Sequence, residues 1–228
     1  MLRKLATDLA ERRRARASTY GWDITDPVER RRSRRFLLWN DHGILRTFWT
    51  NFDRVAEGVY RSNHPTHARF ARYAEMGIRG VLNLRGAGGR APYLFEVESC
   101  AALGLTLLSV DLQARKPAPR DSLLDLFDAF DRIPRPFVMH CKSGADRAGL
   151  ASALYLLDQG RPVAEARRQL SFRYLHLRFT KTGVQDHLLD LYEARLAKGP
   201  ITLRDWVRDE YDPDALARSF AARRILPL

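Results

Sequence analysis

With 228 residues and a mass of 26.2 kDa, the chain has room for one good-sized domain with a real core, or for a domain plus an arm. A hydrophobic share of 45% and a charged share of 29% exclude a disordered polymer, and two cysteines exclude a disulfide framework. Lys+Arg total 39 against 27 Asp+Glu, a net charge of +12 that points to nucleic acid, acidic lipid or a phosphorylated substrate, or to a genome that writes Arg by default.

Residues 1–35 read as a basic arm with eleven basic and five acidic side chains. Leu2, Leu5 and Leu9 lie at helical spacing ahead of Arg12–Arg14 and Arg16, and Arg30–Arg32, Arg34 and Arg35 precede the apolar Phe36–Trp39. A short helix on an anionic membrane surface reads this way, and so does a solvated arm packed on the domain. Trp39, Phe48, Trp49 and Phe52 suit interfacial anchors, or lid and core residues.

From about Arg54 the pattern alternates between strand and helix. Val55–Arg61 predicts a strand pair broken by Gly58, Thr66–Met76 a helix ending at Gly77, and Ile78–Leu84 a short strand. Pro92–Leu103 predicts a helix stopped by Gly104, Leu105–Leu112 a strand, and Asp121–Arg132 an amphipathic helix. Phe137–Met139 is a short buried strand ending at His140, followed by an apolar helix Asp146–Asp158. Helices are also predicted over Pro162–Phe172, Gly183–Ala197 and Ile201–Arg208. Short apolar strands between helices imply a single α/β domain with a short, mostly parallel central sheet covered on both faces. The expected organisation is an arm over 1–50, a catalytic domain over 51–200 and a helical extension over 201–228. The longest apolar run, Ala148–Leu157, is too short to span a bilayer, and no signal peptide is expected at the N-terminus.

The informative segment is His140-Cys141-Lys142-Ser143-Gly144-Ala145-Asp146-Arg147-Ala148-Gly149, which follows a buried strand and opens a helix. Ligands of parallel sheets bind at the carboxyl ends of strands. A tight loop there aims successive N–H groups inward, and the new helix adds its positive end, so Lys142, Ser143, Gly144, Ala145, Asp146 and Arg147 form a cradle for a phosphate dianion. A helix N-terminus and nearby cations favour the nucleophilic thiolate of a cysteine such as Cys141. Arg147 has a planar fork that can grip two phosphate oxygens, and Gly144 allows the sharp turn. A buried structural thiol is the plain alternative for Cys141.

The Cys-x5-Arg spacing, with His140 before the Cys and Gly144 three after it, resembles the cysteine-dependent protein tyrosine and dual-specificity phosphatase superfamily. Val59-Tyr60-Arg61-Ser62 and Val81-Leu82-Asn83-Leu84-Arg85 look like its bacterial dual-specificity branch. The resemblance extends over about Asn51–Ala197. Rhodanese-type sulfur carriers display a similar loop, but usually with the Arg one residue closer. The resemblance implies a phosphocysteine intermediate, His140 as a supporting residue and an Asp acid about thirty residues before the Cys. Asp111 fits that place; Asp121 and Asp125 are rivals that read as an N-cap and a solvated helix face. Many family members have Ser or Thr after the Arg, where this chain has Ala148; Ser143 or water would then serve in the second step. Asp146 reads most simply as a helix cap.

Phosphate-monoester hydrolysis is therefore expected, with an acidic optimum, vanadate inhibition and indifference to chelators. A phosphoprotein substrate, phosphotyrosine first, is the family default. A lipid-borne phosphate (phosphoinositide, phosphatidylglycerophosphate or lipid A) is the alternative, favoured by Lys142 and by an arm suited to peripheral contact with an anionic membrane. A phosphate-binding adaptor with impaired turnover is the non-enzyme reading. No cofactor, no metal and no nucleic-acid partner is expected, and the expected location is cytoplasmic, or peripheral at the inner face of the membrane. Cys100 reads as core or as a redox partner of Cys141. His176, with Arg178 and Lys181, reads as a solvated helix face or a rim of the pocket, His64 and His67 lack a visible ligand set, and Arg85–Arg90 reads as a flexible loop near the pocket.

Overall fold

The structure, a computed structural model, describes residues 21–39 and 48–223. The readings made on Leu2, Leu5, Leu9 and Arg12–Arg16 lie outside them. Five strands of four residues each form one sheet: β1 (Asp53–Ala56), β2 (Val59–Ser62), β3 (Gly80–Asn83), β4 (Thr106–Ser109) and β5 (Phe137–His140). The spatial order is β1-β2-β5-β3-β4, with β1 antiparallel to β2 and every other pairing parallel. β3 and β5 are buried along their whole length, as their apolar Val81-Leu82 and Phe137-Val138-Met139 require, and each ends in a buried polar residue, Asn83 and His140.

Side chains alternate across the sheet, and each face carries its own core. Phe137, Met139 and Leu82 enter the larger cluster, which α4 (Arg120–Arg132), α5 (Asp146–Asp158) and α7 (Val184–Leu196) cover with Leu123, Phe127, Leu150, Leu154 and Leu188. Val138 and Val81 enter the other, with Phe70 and Tyr73 of α2 (His67–Glu75) and Cys100 of α3 (Ala91–Ala102). Truncating a fully buried leucine such as Leu154 to Ala would cost about 2–5 kcal/mol. Ahead of the sheet, α1 (Pro27–Trp39) lies against α3, with Arg30 paired to Glu98 and held over Phe95, and Arg34 over the same ring.

Two predicted elements end early because tertiary bonds take over, and a third changes its winding. The strand expected to reach Leu112 stops at Ser109, because the chain leaves the sheet and Asp111 bridges back to Arg85. The helix expected over Pro162–Phe172 is a short α6 (Val163–Ala166) and a 3₁₀ turn, Arg167–Gln169, since the Gln169 carbonyl accepts from Arg61 rather than from the next turn. Over Ile201–Arg208, α8 (Leu203–Asp205) widens into a π turn, Trp206–Glu210, closed by Tyr211 N–H on the Trp206 carbonyl. A last helix, α9 (Pro213–Arg223), lies in the stretch read from the sequence only as a helical extension over 201–228. No described helix is long and apolar enough to cross a membrane.

Candidate active site

β5 ends at His140, the chain turns through Cys141–Ala145, and α5 begins at Asp146. The shape of this loop is set by what its carbonyls meet. The Lys142 carbonyl accepts from His64 N–H at 3.2 Å and the Ser143 carbonyl from Asn51 Nδ2 at 2.8 Å. The Gly144 and Ala145 carbonyls accept from one guanidinium nitrogen of Arg61 at 2.6 and 3.2 Å. With these successive carbonyls engaged by His64, Asn51 and Arg61, a loop of this kind can offer N–H groups to an anion on its other side. Gly144 sits at φ +73°, and a Cβ there would lie 2.7 Å from Asn63 N and 2.8 Å from Asn51 Cβ, so only glycine fits.

Arg61 is fully buried in β2. Its other nitrogen donates to the backbone and side-chain oxygens of Gln169 at 2.7 and 2.8 Å, and its plane stacks 3.7 Å from the Tyr174 ring. Burial draws this guanidinium down to about 10, opposed by the negative charges that Tyr174, Cys141 and Asp53 can carry. Arg61 is therefore a buried cation beneath the Cys141–Ala145 loop. The sequence offered it only as part of a strand motif; a charged residue inside an apolar strand was the available signal.

Cys141 is buried and free. Among the described residues, the Arg147 Nε is buried and has no partner, a donor left for a ligand. Lys142 is half-buried, and Ser143 turns its hydroxyl to the Ala145 N–H at 3.4 Å. Ala148 lies wholly in the core. His140 is buried, with Nε2 2.5 Å from Glu96 Oε1 and Nδ1 3.4 Å from the Cys141 carbonyl. Glu96 was missed in the sequence, where it reads as one more acid in a helix. Together with His64, this pair brings three potential ligand atoms within 4.8 Å of one another, a group that the sequence did not disclose and that could take a metal ion. A cavity of about 290 Å³ opens beside it, lined by Asn83, Arg85, Arg90 and Tyr93 and by no residue of the Cys141–Arg147 stretch.

Three readings are corrected. His176 lies neither on a solvated face nor on a rim: it is buried, with Nδ1 2.8 Å from Asp146 and Nε2 2.7 Å from Asp186. Burial works against its charge, but the two carboxylates prevail and raise it to about 9. Asp146 is thus the first residue of α5 and a partner of His176, with Ala145 in the cap position. Likewise Asp121 lies inside the first turn of α4, and Pro119 holds the cap. Asp125 is on an exposed face. Cys100 is a core residue whose thiol burial pushes up to about 12.

Asp111 is exposed, just past β4, bridged to Arg85. β3, β4 and β5 are parallel, so this residue and the Cys141 loop occupy the same edge of the sheet. The segment after Asp111 is held at several points. Gln185 Nε2 donates to the Gln113 and Ala114 carbonyls at 2.7 and 3.3 Å, and Tyr211 OH to the Ala118 carbonyl at 2.8 Å.

No family model matches the chain. Inositol diphosphatase DSP3 of Arabidopsis thaliana is 27% identical over 106 residues, 44% of this chain and 50% of that protein, so the chain spans about half the length of this curated relative. Among solved structures, Tk-PTP in its active form matches with a TM-score of 0.51 and 19% identity, over 64% of this chain and 99% of that one. A DUF442 candidate phosphatase from Shewanella putrefaciens CN-32 matches with a TM-score of 0.51 and 18% identity, over 63% and 89% of the two chains. The chain shares its fold with these phosphatase structures.

Proposed function

We propose that the protein is a phosphatase that hydrolyses phosphate monoesters through a phosphocysteine, without a metal. In this reading Cys141 Sγ attacks phosphorus in line, and the bond from phosphorus to the leaving oxygen breaks as Asp111 gives that oxygen its proton. Water then attacks phosphorus, Asp111 takes its proton, and the sulfur leaves as thiolate. Arg147 and the loop N–H groups follow the equatorial oxygens through both steps. The observation that carries this is the loop itself: carbonyls bonded outward from residue 142 to residue 145, beside a buried Arg147 nitrogen without a described partner.

Phosphoproteins are the substrates the resemblance implies, and lipid-borne phosphate is the second reading, supported by Lys142 and the basic balance of the chain. The name of the curated relative adds inositol diphosphates to the panel. The test is phosphate release from phosphotyrosine and phosphoserine peptides, phosphoinositides, phosphatidylglycerophosphate, lipid A and inositol diphosphates. Cys141→Ser is expected to abolish turnover on every substrate, and Arg147→Lys to cost about 10²–10³ in kcat/KM. Turnover that survives Cys141→Ser, or that a chelator removes, would overturn the mechanism; the second outcome would point to His64, Glu96 and His140.

A further inference from the structure

Residues 171–181, Ser-Phe-Arg-Tyr-Leu-His-Leu-Arg-Phe-Thr-Lys, hold three Arg or Lys and no acid. Two ties fix this segment beside the nucleophile loop. Asn51 bridges the Ser143 and Tyr174 carbonyls, and His176 holds Asp146. The buried Tyr174 and His176 serve as its roots, and what alternates with them points to water. Phe172 is 72% exposed, Phe179 76% and Leu175 46%. Phe48, 88% exposed, lies three residues before Asn51, which is tied to both the loop and this segment. A soluble domain rarely presents several large apolar side chains together without a use for them.

The cations lie among these rings. Arg173 and Arg178 keep 72% and 69% of their side chains exposed; the first touches Asp53 at 3.0 Å and the second approaches Asp190 at 3.8 Å. Their acid partners are mostly buried, but both arginine side chains stay largely in solvent. Lys181 is exposed as well. Aromatic rings interleaved with cations match the headgroup region of a bilayer, where rings enter the acyl boundary and cations meet lipid phosphates. A folded protein partner would match the apolar area, but a run of cations with no acid favours a uniformly anionic surface.

We propose that the 171–181 segment, with Phe48, docks the protein on an anionic membrane and presents the Cys141 loop to phosphate carried by lipid. This deepens the phosphatase reading and rests on it for the substrate, while the docking itself can be measured without turnover. The experiment is co-sedimentation of the full chain with phosphatidylcholine vesicles, with and without phosphatidylglycerol. It is run on the wild type, on Cys141→Ser, and on the variants F172S/F179S and R178E/K181E. The expected result is binding that requires the anionic lipid, persists in Cys141→Ser, and falls on the order of tenfold in each double variant. Turnover of a soluble aryl phosphate by F172S/F179S should stay at the wild-type level. If activity fails while vesicle binding holds, the phosphatase reading falls and the docking stands. Three results would overturn the docking: no vesicle binding; binding unchanged in both double variants; or self-association that F172S/F179S abolishes, which would make a second copy the occupant of this face.

Discussion

Arg61 holds the loop open by binding the outside of it. Its guanidinium spans the Gly144 and Ala145 carbonyls on one side and Gln169 on the other, wholly away from solvent. Replacing it with Met would leave those carbonyls unsatisfied in the interior, at a cost of about 3–5 kcal/mol, read as a lower denaturation midpoint at unchanged m-value. Lys in its place carries the charge but not the fork, so Arg61→Lys should fold better than Arg61→Met and still lose kcat. Equal stability of the Arg61→Met variant and the wild type would show that the loop does not depend on this contact.

His176 is the second such residue, and it gives a pH signature. Its imidazolium is favoured in the folded state, up to about 9, over an ordinary value of 6.5. The stabilisation is therefore fully present below about pH 6.5 and is lost as pH rises toward 9, amounting to about 3 kcal/mol. Urea midpoints measured from pH 6 to pH 9.5 should fall for the wild type and change much less for His176→Gln. Parallel falls in the two proteins would place the pH dependence elsewhere.

At the scale of elements, the segment carrying Asp111 depends on the C-terminal part of the chain. Tyr211, at the end of the π turn, donates its hydroxyl to the Ala118 carbonyl, while its own carbonyl accepts from Arg120 Nε at 3.0 Å. Burial pushes this phenol well up. Tyr211→Phe should cost about 1 kcal/mol in stability and lower kcat more than it changes KM, because the binding loop is untouched while the Asp111 segment loosens. Steady-state kinetics on one soluble substrate separates the two constants; a change confined to KM would contradict this link.

Much of this level was legible beforehand. The strand–loop–helix setting of Cys141, the parallel sheet and the boundaries of α5 follow from apolar runs, glycines and the motif. What escaped reading shares a physical cause: side chains that act on partners far along the chain. Arg61 and Glu96 look like surface charges until the fold buries them, and Asn51 carries no local signal of the contacts it makes with Ser143 and Tyr174. The helix after Pro162 ends where Arg61 claims the Gln169 carbonyl, a competition that local propensity cannot register.

Across the whole molecule, one cation joins the face behind the sheet to the C-terminal elements. Arg204 of α8 pairs with Asp158 of α5 at 2.6 and 2.8 Å and with Asp131 of α4 at 2.6 and 2.9 Å. Both carboxylates hold it firmly charged. Arg204→Ala should cost about 1–2 kcal/mol, and the difference from wild type should shrink in high salt, since part of the network faces water. A loss independent of salt would assign the effect to its packing over Phe127 instead.

The partners of the loop carbonyls also bear on how such a site can be inherited. Asn51 and Arg61 stand 92 and 83 positions before the carbonyls they hold. A copy of His140–Gly149 moved to another scaffold would bring Cys141 and leave its mould behind. The site is transmissible only as two distant stretches of chain that must change together, so drift at Arg61 or Asn51 would silence a signature that still reads intact.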